Sequence, residues 1–511
     1  MEVISELIKP FGAEYEEYLR DESRCSGEAG FVSFPTTEDQ VREVLREAAR
    51  LQTTITVQGA RTGIVAGAVP QGGLILNLSR MKGLSEIAPA EDRAQITARP
   101  GTLLTELREK IEKQGWFFPP DPTETSASIG GMIAANASGA LTFHYGPTRC
   151  WVDRLRVVLA DGDVINLPRG TSFAQGRSFE LTTESGRTLR GFLPSYNQPD
   201  IKSAAGYFVR DNMDLIDLFI GMEGTLGIVT EADLRLIPLP QACHGLVIFL
   251  PCESAALKLV RTARGEHVPE VPTVESKPVA IEFFSKEALD LLRSAKEKYS
   301  AFEAIPALNP AWHTAVYVEY HACADEEAEE SICQVMEAAA ALGSSEDDTW
   351  YGTNRRELEP IKAFRHAVPE AVNLLVDERK RQWHEITKLG TDMSVPDEYL
   401  EAVVSMYRRD LSEHGLEFVM FGHIGNNHVH VNIIPRSPEE YALGRSLYMK
   451  WAEEVVRMGG SVSAEHGIGK LKVQLLELMY GSQAVEEMRA LKRLFDPGMI
   501  LNPGNLFAVQ R

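Results

Sequence analysis

Cysteine is scarce in this chain and never clustered. The six residues Cys25, Cys150, Cys243, Cys252, Cys323 and Cys333 are scattered over 511 positions with no C-x-x-C pair. That spacing excludes a cysteine-rich zinc module and the common iron–sulfur ligations. It fits reduced thiols better than a disulfide framework. Positive charge is also short: 52 Lys and Arg stand against 73 Asp and Glu, so 52 − 73 = −21 with His neutral. Neutralising nucleic-acid phosphates or docking on an anionic bilayer needs clustered cations, so neither partner is expected. No apolar run approaches the roughly 18 residues that span a membrane, so no transmembrane segment is expected. The opening MEVISELIKPFGAEYEEYLRDE is acidic where a secretory leader would be basic and then apolar. Together these absences predict a cytoplasmic protein, peripheral to a membrane only through a partner.

What is present is an ordinary globular composition, 44% hydrophobic and 24% charged, in a length that suits two to four domains at roughly 100–200 residues each. Residues 35–52 (PTTEDQVREVLREAARLQ) place Val41, Val44, Leu45 and Ala48 at helical spacing. Strand-like runs follow at 55–59, 74–78 and 95–101. A second helix is predicted at 102–115, with Leu103, Leu104, Leu107 and Ile111 on one face and Gly115 as its stop. Residues 155–167 read as two strands joined by an Asp-Gly turn. This mixed segment ends at the turn-rich IPLPQACHG. The second α+β stretch, 241–460, holds the strand TAVYVEYHA (314–322). Residues 322–350 carry nine Asp and Glu without Lys or Arg, a solvated face and loop. Ser437 as N-cap, Pro438 at N1, Glu440 as capping-box partner and Gly459 as terminator mark a helix near the end.

Three glycine- and small-residue segments carry the first chemistry. In QGARTGIVAGAVPQGG (58–73), Gly59, Gly63 and Gly67 recur every four residues between strands. Such turns present successive N–H groups to a phosphate. Neither G-x-x-x-x-G-K-[ST] nor G-x-G-x-x-G occurs there, so the loop is neither a P-loop nor a Rossmann turn. DPTETSASIGGMIAANASGA (121–140) has too little bulk for a core helix and too many small polar groups for a strand. Its backbone suits a ligand lying against it. GMEGTLGIVTEADLRLIPLP (221–240) enters a strand through Gly224, Thr225, Leu226 and Gly227. Three such segments can line one elongated, phosphorylated cofactor.

The second chemistry sits in FGHIGNNHVHVNIIP (421–435). From Asn427 the residues alternate, with His428, His430 and Asn432 on one side and Val429, Val431 and Ile433 on the other, which predicts a strand. Gly422 and Gly425 bracket His423 and allow a turn that returns its ring to the same face. Imidazoles with a carboxylate are standard ligands for a divalent cation, and SAEHGIGKLK (463–472) offers Glu465 beside His466 in a glycine-rich loop. A structural histidine network is the competing reading.

These ordered motifs resemble the vanillyl-alcohol-oxidase-type (PCMH-type) flavoproteins. Within them they resemble the FAD-linked D-2-hydroxy-acid dehydrogenases, that is, D-lactate dehydrogenases, glycolate oxidase flavoprotein subunits and D-2-hydroxyglutarate dehydrogenases, over nearly the whole chain. The resemblance implies an α+β fold: an FAD-binding domain from 1–240, an inserted substrate or cap domain from 241–460, and a segment 461–511 that returns to the FAD domain. It implies non-covalent FAD, because no His lies in the pyrophosphate loop and Cys150 is better read as structural. Gly59, Arg61, Thr62, Gly63 and Gly67 would form that loop. Pro122, Ser128, Gly130, Gly131, Asn136 and Gly139 would line flavin and ribityl. Gly224, Thr225, Ile228 and, from the closing DPGMILNPGN, Asn502 would complete the cofactor site, with Asn505 standing where Lys is common.

By the same resemblance His423, His430 and Glu465 would hold a divalent metal (Zn, Mn or Fe). His466 would act as base, Asn432 would bind substrate, and Arg365 would grip the substrate carboxylate. Asn426, Asn427 and His428 depart from the usual Asp-Gly-Asn, leaving His428 as an added or substitute ligand. Gly390 occupies the spacing of a second substrate-contacting Lys, with Lys388 nearby, and Pro369 replaces a polar residue. These departures point to a short acid such as D-lactate or glycolate. Oxidation to the 2-oxo acid would pass a hydride to flavin N5. With no second redox motif, electrons would leave to an electron-transfer flavoprotein, an iron–sulfur subunit or a quinone; a homodimer is compatible. Two rivals are a non-catalytic, electron-transferring FAD subunit and an alkyl-glycerone-phosphate synthase. The first would be expected to lose the metal-site residues, and the second carries consecutive His where Glu465-His466 stand. A charge of −21 is an awkward field for an anionic substrate, so Arg365 and a cation must make the pocket locally positive.

Overall fold

Thr37 closes an extended segment, and its side chain accepts a hydrogen bond from the Gln40 N–H, so the amphipathic run behind it starts helix α1 (Glu38–Arg50) there. Val41, Val44, Leu45 and Ala48 are its buried stripe. These coordinates are a computed structural model that describes residues 6–508; the first five residues of the acidic amino-terminal stretch lie outside it. The chain divides into two units, one of residues 6–138, 146–239 and 463–508, the other of 139–145 and 240–462. Among the described residues no helix is long and apolar enough to cross a membrane.

In the first unit β1 (Phe31–Ser33) and β2 (Ile55–Gln58) both run parallel to β3 (Leu74–Asn77), which lies between them. A second sheet sets β7 (Ile228–Pro238) antiparallel between β4 (Ala94–Ala98) and β5 (Val152–Val158), with β6 (Val164–Pro168) outside β5. β5 and β6 are the predicted hairpin, turning where Gly162 takes φ +84°. Both sheets share one core that includes Val44, Leu45, Leu74, Leu76, Val158, Val164, Ile228 and Leu501. Helix α2 (Leu104–Glu112) buries Leu104, Leu107 and Ile111.

Leu501 belongs to that core because the chain end returns to β2. The Ile55 N–H donates to Ile500 O at 2.8 Å, and the Asn502 N–H to Ile55 O at 2.7 Å. Lys492, on the helix Val473–Phe495, fixes the return from beneath. Its Nζ donates to Thr225 O (2.9 Å), Leu501 O (2.8 Å) and Asp496 Oδ2 (2.7 Å), and both side chains are 2% exposed or less.

Two readings of the sequence are corrected here. Residues 129–135 form a short helix, α3 (Ile129–Ala135), rather than an irregular lining. Ser128 caps it by accepting from the Gly131 N–H. Asn136 ends it in the left-handed region, and Ile129, Met132 and Ile133 supply a buried stripe at i, i+3, i+4. The segment ACHG is no turn: it opens β8 (Ala242–Leu250), an interior strand of the second unit's sheet paired on both sides.

That unit is one seven-stranded sheet with β8, β9 (Ala280–Phe284), β10 (Thr314–Ala322), β11 (Thr349–Gly352), β12 (Leu389–Gly390), β13 (Phe418–Gly422) and β14 (His430–Ile433) in the order β11-β8-β10-β9-β13-β14-β12. Helix α4 (Arg355–Lys380) covers one face. Phe364 of α4 packs on Phe249 and Phe284, which both stand opposite Ala315 in register. Helix α5 (Pro438–Arg457) starts at Ser437, which accepts from the Glu440 N–H. The Glu440 carboxylate reaches one residue further than a capping box requires, to the Arg436 N–H at 2.8 Å.

The face under α4 is unusually polar. Tyr317, Glu319 and His321 point to it from β10, and Glu282 stands opposite Tyr317 on β9. Glu319 accepts from the Tyr317 hydroxyl, and its Oε1 lies 3.0 Å from His321 Nε2. His321 Nδ1 meets the Tyr145 hydroxyl at 2.9 Å. Burial alone would raise the Glu319 carboxyl, but the hydrogen bond and charge of His321, then the charge of Arg365, bring it to about 2. Burial would likewise depress His321, and its bonds to Cys243 and Glu319 lift it to about 9 instead.

Lys492→Met should destabilise the chain by about 3–5 kcal/mol, since Asp496 is then buried without its cation. Urea unfolding would register this, and Lys492→Met with Asp496→Leu should recover part of the loss. The raised His321 pKa gives stability that is complete below its ordinary 6.5 and lost as pH climbs through about 9. His321→Gln should therefore flatten the fall in unfolding free energy between those pH values; an unchanged slope would refute the assignment.

Candidate functional site

The candidate cofactor loop of the first unit joins β2 to β3, and two of its non-glycine residues are left-handed, Arg61 at φ +64° and Ala66 at φ +59°. That geometry turns successive amides to one side. Ser128 ties the loop to α3, since its Oγ accepts from the Ala60 N–H (3.2 Å) and the Gly131 N–H (3.3 Å). Gly59 is required by this approach, because a Cβ there would sit 2.2 Å from Ser128 Oγ. Around Gly63, by contrast, a Cβ would meet nothing within 4 Å, and at Gly67 only Asn505 Nδ2 at 3.6 Å. The loop's outer side is thus open backbone, which fits a diphosphate.

The remaining cofactor candidates divide. Arg61 is drawn to the Glu17 carboxylate at 2.9 Å and lies 4.3 Å over the Tyr18 ring. Thr62 and Pro122 are half-buried, and Gly130 packs so closely that a Cβ would reach Pro100 at 2.5 Å. Asn136 accepts from the Arg149 N–H, and Gly139 belongs to the other unit, where its N–H donates to Thr142 Oγ1. Thr225 and Ile228 are buried. Their side chains are 0% and 1% exposed, and the Thr225 hydroxyl is spent on Met222 O and the Tyr207 hydroxyl. Their side chains belong to the first unit's interior, so any part they take in the site is through the backbone.

Sequence reasoning missed the knot that holds this cradle. Asn502 Oδ1 accepts from the Val57 N–H (2.6 Å), and its Nδ2 donates to Glu223 O (2.7 Å). Glu223 accepts from the Ile468 and Gly469 N–H groups, both at 2.7 Å; burial raises its carboxyl above the usual range while those two bonds pull it down. Lys470 Nζ donates to Ala66 O and Gly67 O at 3.2 Å and to Asn505 Oδ1 at 2.7 Å, and burial lowers it to about 8. Glu465 and His466 lie on the same irregular loop, where Gly467 and Gly469 are left-handed. Glu465 Oε2 is 3.3 Å from Lys202 Nζ, both side chains being 10% exposed or less.

The second unit gathers three imidazoles. The predicted strand is shorter than its alternation suggests, because Asn427 is left-handed at φ +52° after a single turn of 3-10 helix, and regular pairing begins at His430. The turn still brings the rings together. Ring centroids are 4.3 Å apart for His428 and His430, 5.4 Å for His423 and His428, and 5.7 Å for His423 and His430. Each offers a ring nitrogen within 4.8 Å of the others. An acceptor stands behind every ring. His423 Nδ1 meets Glu282 Oε1 at 2.7 Å, His430 Nδ1 meets Thr391 O at 2.9 Å, and His428 Nε2 lies 3.0 Å from Asp392 Oδ1. Outer acceptors of this kind fix the tautomer of metal-binding His, so the residues present fit a divalent cation. Asn432 shares the sheet face, opposite Gly390, where a Cβ would come within 2.8 Å of its Oδ1.

Arg365, on α4, lies with its guanidinium 4.8 Å over the Tyr317 ring and 3.9 Å from Glu319 Oε2, its side chain 11% exposed. It is therefore a buried Arg held against the sheet rather than an exposed one on the helix surface. Pro369 follows one turn later on α4, and Lys388 is exposed just before β12. Glu282, Asp392, Glu319 and His321 were not singled out from the sequence. The available signal was a lone carboxylate inside apolar strands such as AIEFF.

Comparison with known proteins agrees with this geometry. Residues 29–168 match an FAD binding domain, and residues 254–506 match the C-terminal domain of FAD linked oxidases. A glycolate oxidase subunit of Bacillus subtilis is 26% identical, covering 93% of this chain and 88% of its own length. A D-lactate dehydrogenase of Anaerostipes hadrus is 28% identical, with 96% and 92% covered, and a D-2-hydroxyglutarate dehydrogenase of Stutzerimonas stutzeri is 28% identical, with 93% and 90%. Among solved structures, a 4-ethylphenol oxidase from Gulosibacter chungangensis aligns at a TM-score of 0.67 and 18% identity over 99% of this chain and 95% of that one. An alkyldihydroxyacetonephosphate synthase aligns at 0.66 and 16% over 98% and 83%. At those identities the structures speak for the fold, which is that of the vanillyl-alcohol-oxidase-type flavoproteins. With both halves matched and relatives along its whole length, this chain belongs to the FAD-linked oxidase family, in its branch of D-2-hydroxy-acid dehydrogenases.

Proposed function

We propose that the D-2-hydroxy acid this FAD-dependent enzyme oxidises is D-lactate, and that a divalent cation assists. The observation that carries the reading is the convergence of His423, His428 and His430, each backed by an acceptor, in the unit that also buries Arg365. Bound FAD supplies the hydride acceptor, and a cation held by His423, His430 and Glu465 supplies the charge that lowers the hydroxyl pKa.

The chain's own residues bind the acid and move its proton. Arg365 grips the substrate carboxylate, a bidentate geometry suited to guanidinium. Its 3.9 Å approach to Glu319 is loose enough to be exchanged for a closer anion, while Tyr317 keeps the group in place. Asn432 hydrogen-bonds the acid, and Gly390 leaves its amide room. A Gly at 390 adds no cation for a distal carboxylate, which favours a short monocarboxylate. His466 takes the hydroxyl proton, as an imidazole can near neutral pH. Lys202 beside Glu465 keeps that carboxylate oriented. Loss of proton and hydride leaves the 2-oxo acid. The electrons pass to an external acceptor, an electron-transfer flavoprotein, an iron–sulfur subunit or a quinone.

Anaerobic mixing should bleach the flavin absorbance with D-lactate faster than with glycolate or D-2-hydroxyglutarate, and L-lactate should leave it unchanged; bleaching by none of these acids would sink the reading. His466→Ala should slow flavin reduction by roughly 10²–10⁴-fold without altering flavin content. Arg365→Ala should cost about 2–5 kcal/mol, chiefly as weaker substrate saturation, because a buried charge pair loses one member.

A further inference from the structure

Residues 221–227 (GMEGTLG) turn sharply before β7, and three of them are left-handed: Gly221 at φ +87°, Glu223 at φ +52° and Gly224 at φ +69°. Glycine enters that region freely, whereas a residue with a Cβ rarely does, and then where its surroundings over-determine it. Glu223 therefore keeps a side chain where the backbone favours glycine. Its carboxylate is bound to one segment. Oε1 accepts from the Ile468 N–H and Oε2 from the Gly469 N–H, each at 2.7 Å. A Cβ on Gly467 would sit 2.7 Å from Oε1, so the carboxylate lies against the backbone that directly follows His466. From the other side the Gly467 C=O accepts from Ser463 Oγ at 2.7 Å, and Ser463 is 0% exposed. The peptide joining Gly467 to Ile468 is thus gripped at both its C=O and its N–H.

This grip stands in for secondary structure. Residues 463–470 form no helix or strand, so no regular pairing fixes the direction of His466. Glu223 itself is fixed on both sides of its Cα. Its N–H donates to Ala134 O in α3 at 2.9 Å, and its C=O accepts from Asn502 Nδ2 at 2.7 Å and Asn505 Nδ2 at 3.2 Å. The side chain carries that frame to the loop. We propose that Glu223, with Ser463 opposite it, is a positioning residue for His466, holding the loop in the one course that aims the imidazole at the substrate hydroxyl. This rests on His466 as the base of the reaction proposed above. A base misplaced by about 1 Å costs on the order of 10²-fold in rate. Gln at 223 would keep the shape of the side chain but offer one oxygen, so one of the two N–H groups would face an amide NH₂.

The test is a double-mutant cycle on the FAD-loaded chain: Glu223→Gln, Ser463→Ala and His466→Ala alone, then each of the first two combined with His466→Ala. Anaerobic flavin bleaching is followed over a range of D-lactate concentrations, or with glycolate or D-2-hydroxyglutarate where one of these bleaches the original chain faster. Bound FAD is read by absorbance and folding by circular dichroism. Glu223→Gln should slow the saturated rate by about 10²-fold, with the half-saturating concentration and the FAD content little changed. In the His466→Ala background it should slow the rate by less than about twofold more, since no base is left to place. Ser463→Ala should follow the same pattern, and it decides should Glu223→Gln not fold. A full rate in the deciding variant, an equal loss with and without His466, or loss of FAD in place of slowed bleaching overturns the positioning role alone. His466→Ala bleaching as fast as the original chain, or no bleaching by any of the three acids, overturns the proposed chemistry and the positioning role with it.

Discussion

The hydrogen bond from His423 to Glu282 carries more of this molecule than its 2.7 Å suggests. Glu282 lies in the middle of a sheet, 5% exposed, on a strand otherwise made of Ala, Ile and Phe. A carboxylate there loses its hydration and must be compensated locally. His423 is that compensation, and in return its ring is held in one tautomer with Nε2 turned outward. The same exchange recurs at His430 with a backbone carbonyl and at His428 with Asp392. Buried acceptors thus make the imidazole cluster possible, and Phe364 of α4 seals the neighbouring part of that face against Phe249 and Phe284.

The first unit meets a different difficulty. A loop that offers its amides to a diphosphate cannot spend them on regular pairing, so its shape must come from elsewhere. The returning tail provides it. Asn502 and Asn505 reach Val57, Gly67 and Glu223, and Lys470 gathers the carbonyls of Ala66 and Gly67. Carbonyls drawn inward by a buried ammonium leave the opposite N–H side of the loop facing out. The residues most easily read as ligand contacts and the residues that place them are therefore different sets, as Thr225 and Ile228 illustrate.

Periodicity made much of the fold legible: α1, α2, the β5–β6 hairpin, β10 and α5 lie where spacing and caps put them. Failures arose where one residue outweighed a pattern. Small residues hid α3 until Ser128 and Asn136 were seen to cap both its ends. Asn427 broke an alternation that looked continuous. The histidines announced themselves by being three in eight positions, but their acceptors are single residues in remote segments. A lone Asp392 or Glu282 has no spacing from which pairing can be inferred; only tertiary register reveals it.

Charge on the second unit's polar face would give the proposed cation a purpose beyond geometry. Glu282, Glu319 and Asp392, when ionised, bring three negative charges; Arg365 and His321, whose imidazole its bonds to Cys243 and Glu319 lift to about 9, bring two positive ones when protonated. The sum of these named groups is −3 + 2 = −1, the wrong sign for a hydroxy acid and in keeping with a whole-chain charge of −21. Neutral imidazoles add nothing to it. A divalent ion on those imidazoles, as proposed, would change −1 to +1 and make the face attractive to an anion. Arg365 alone cannot do this, since Glu319 already claims part of its charge. On the proposed cation site, the carboxylates behind the imidazoles would thereby set the condition for substrate entry: the acid would come after the metal.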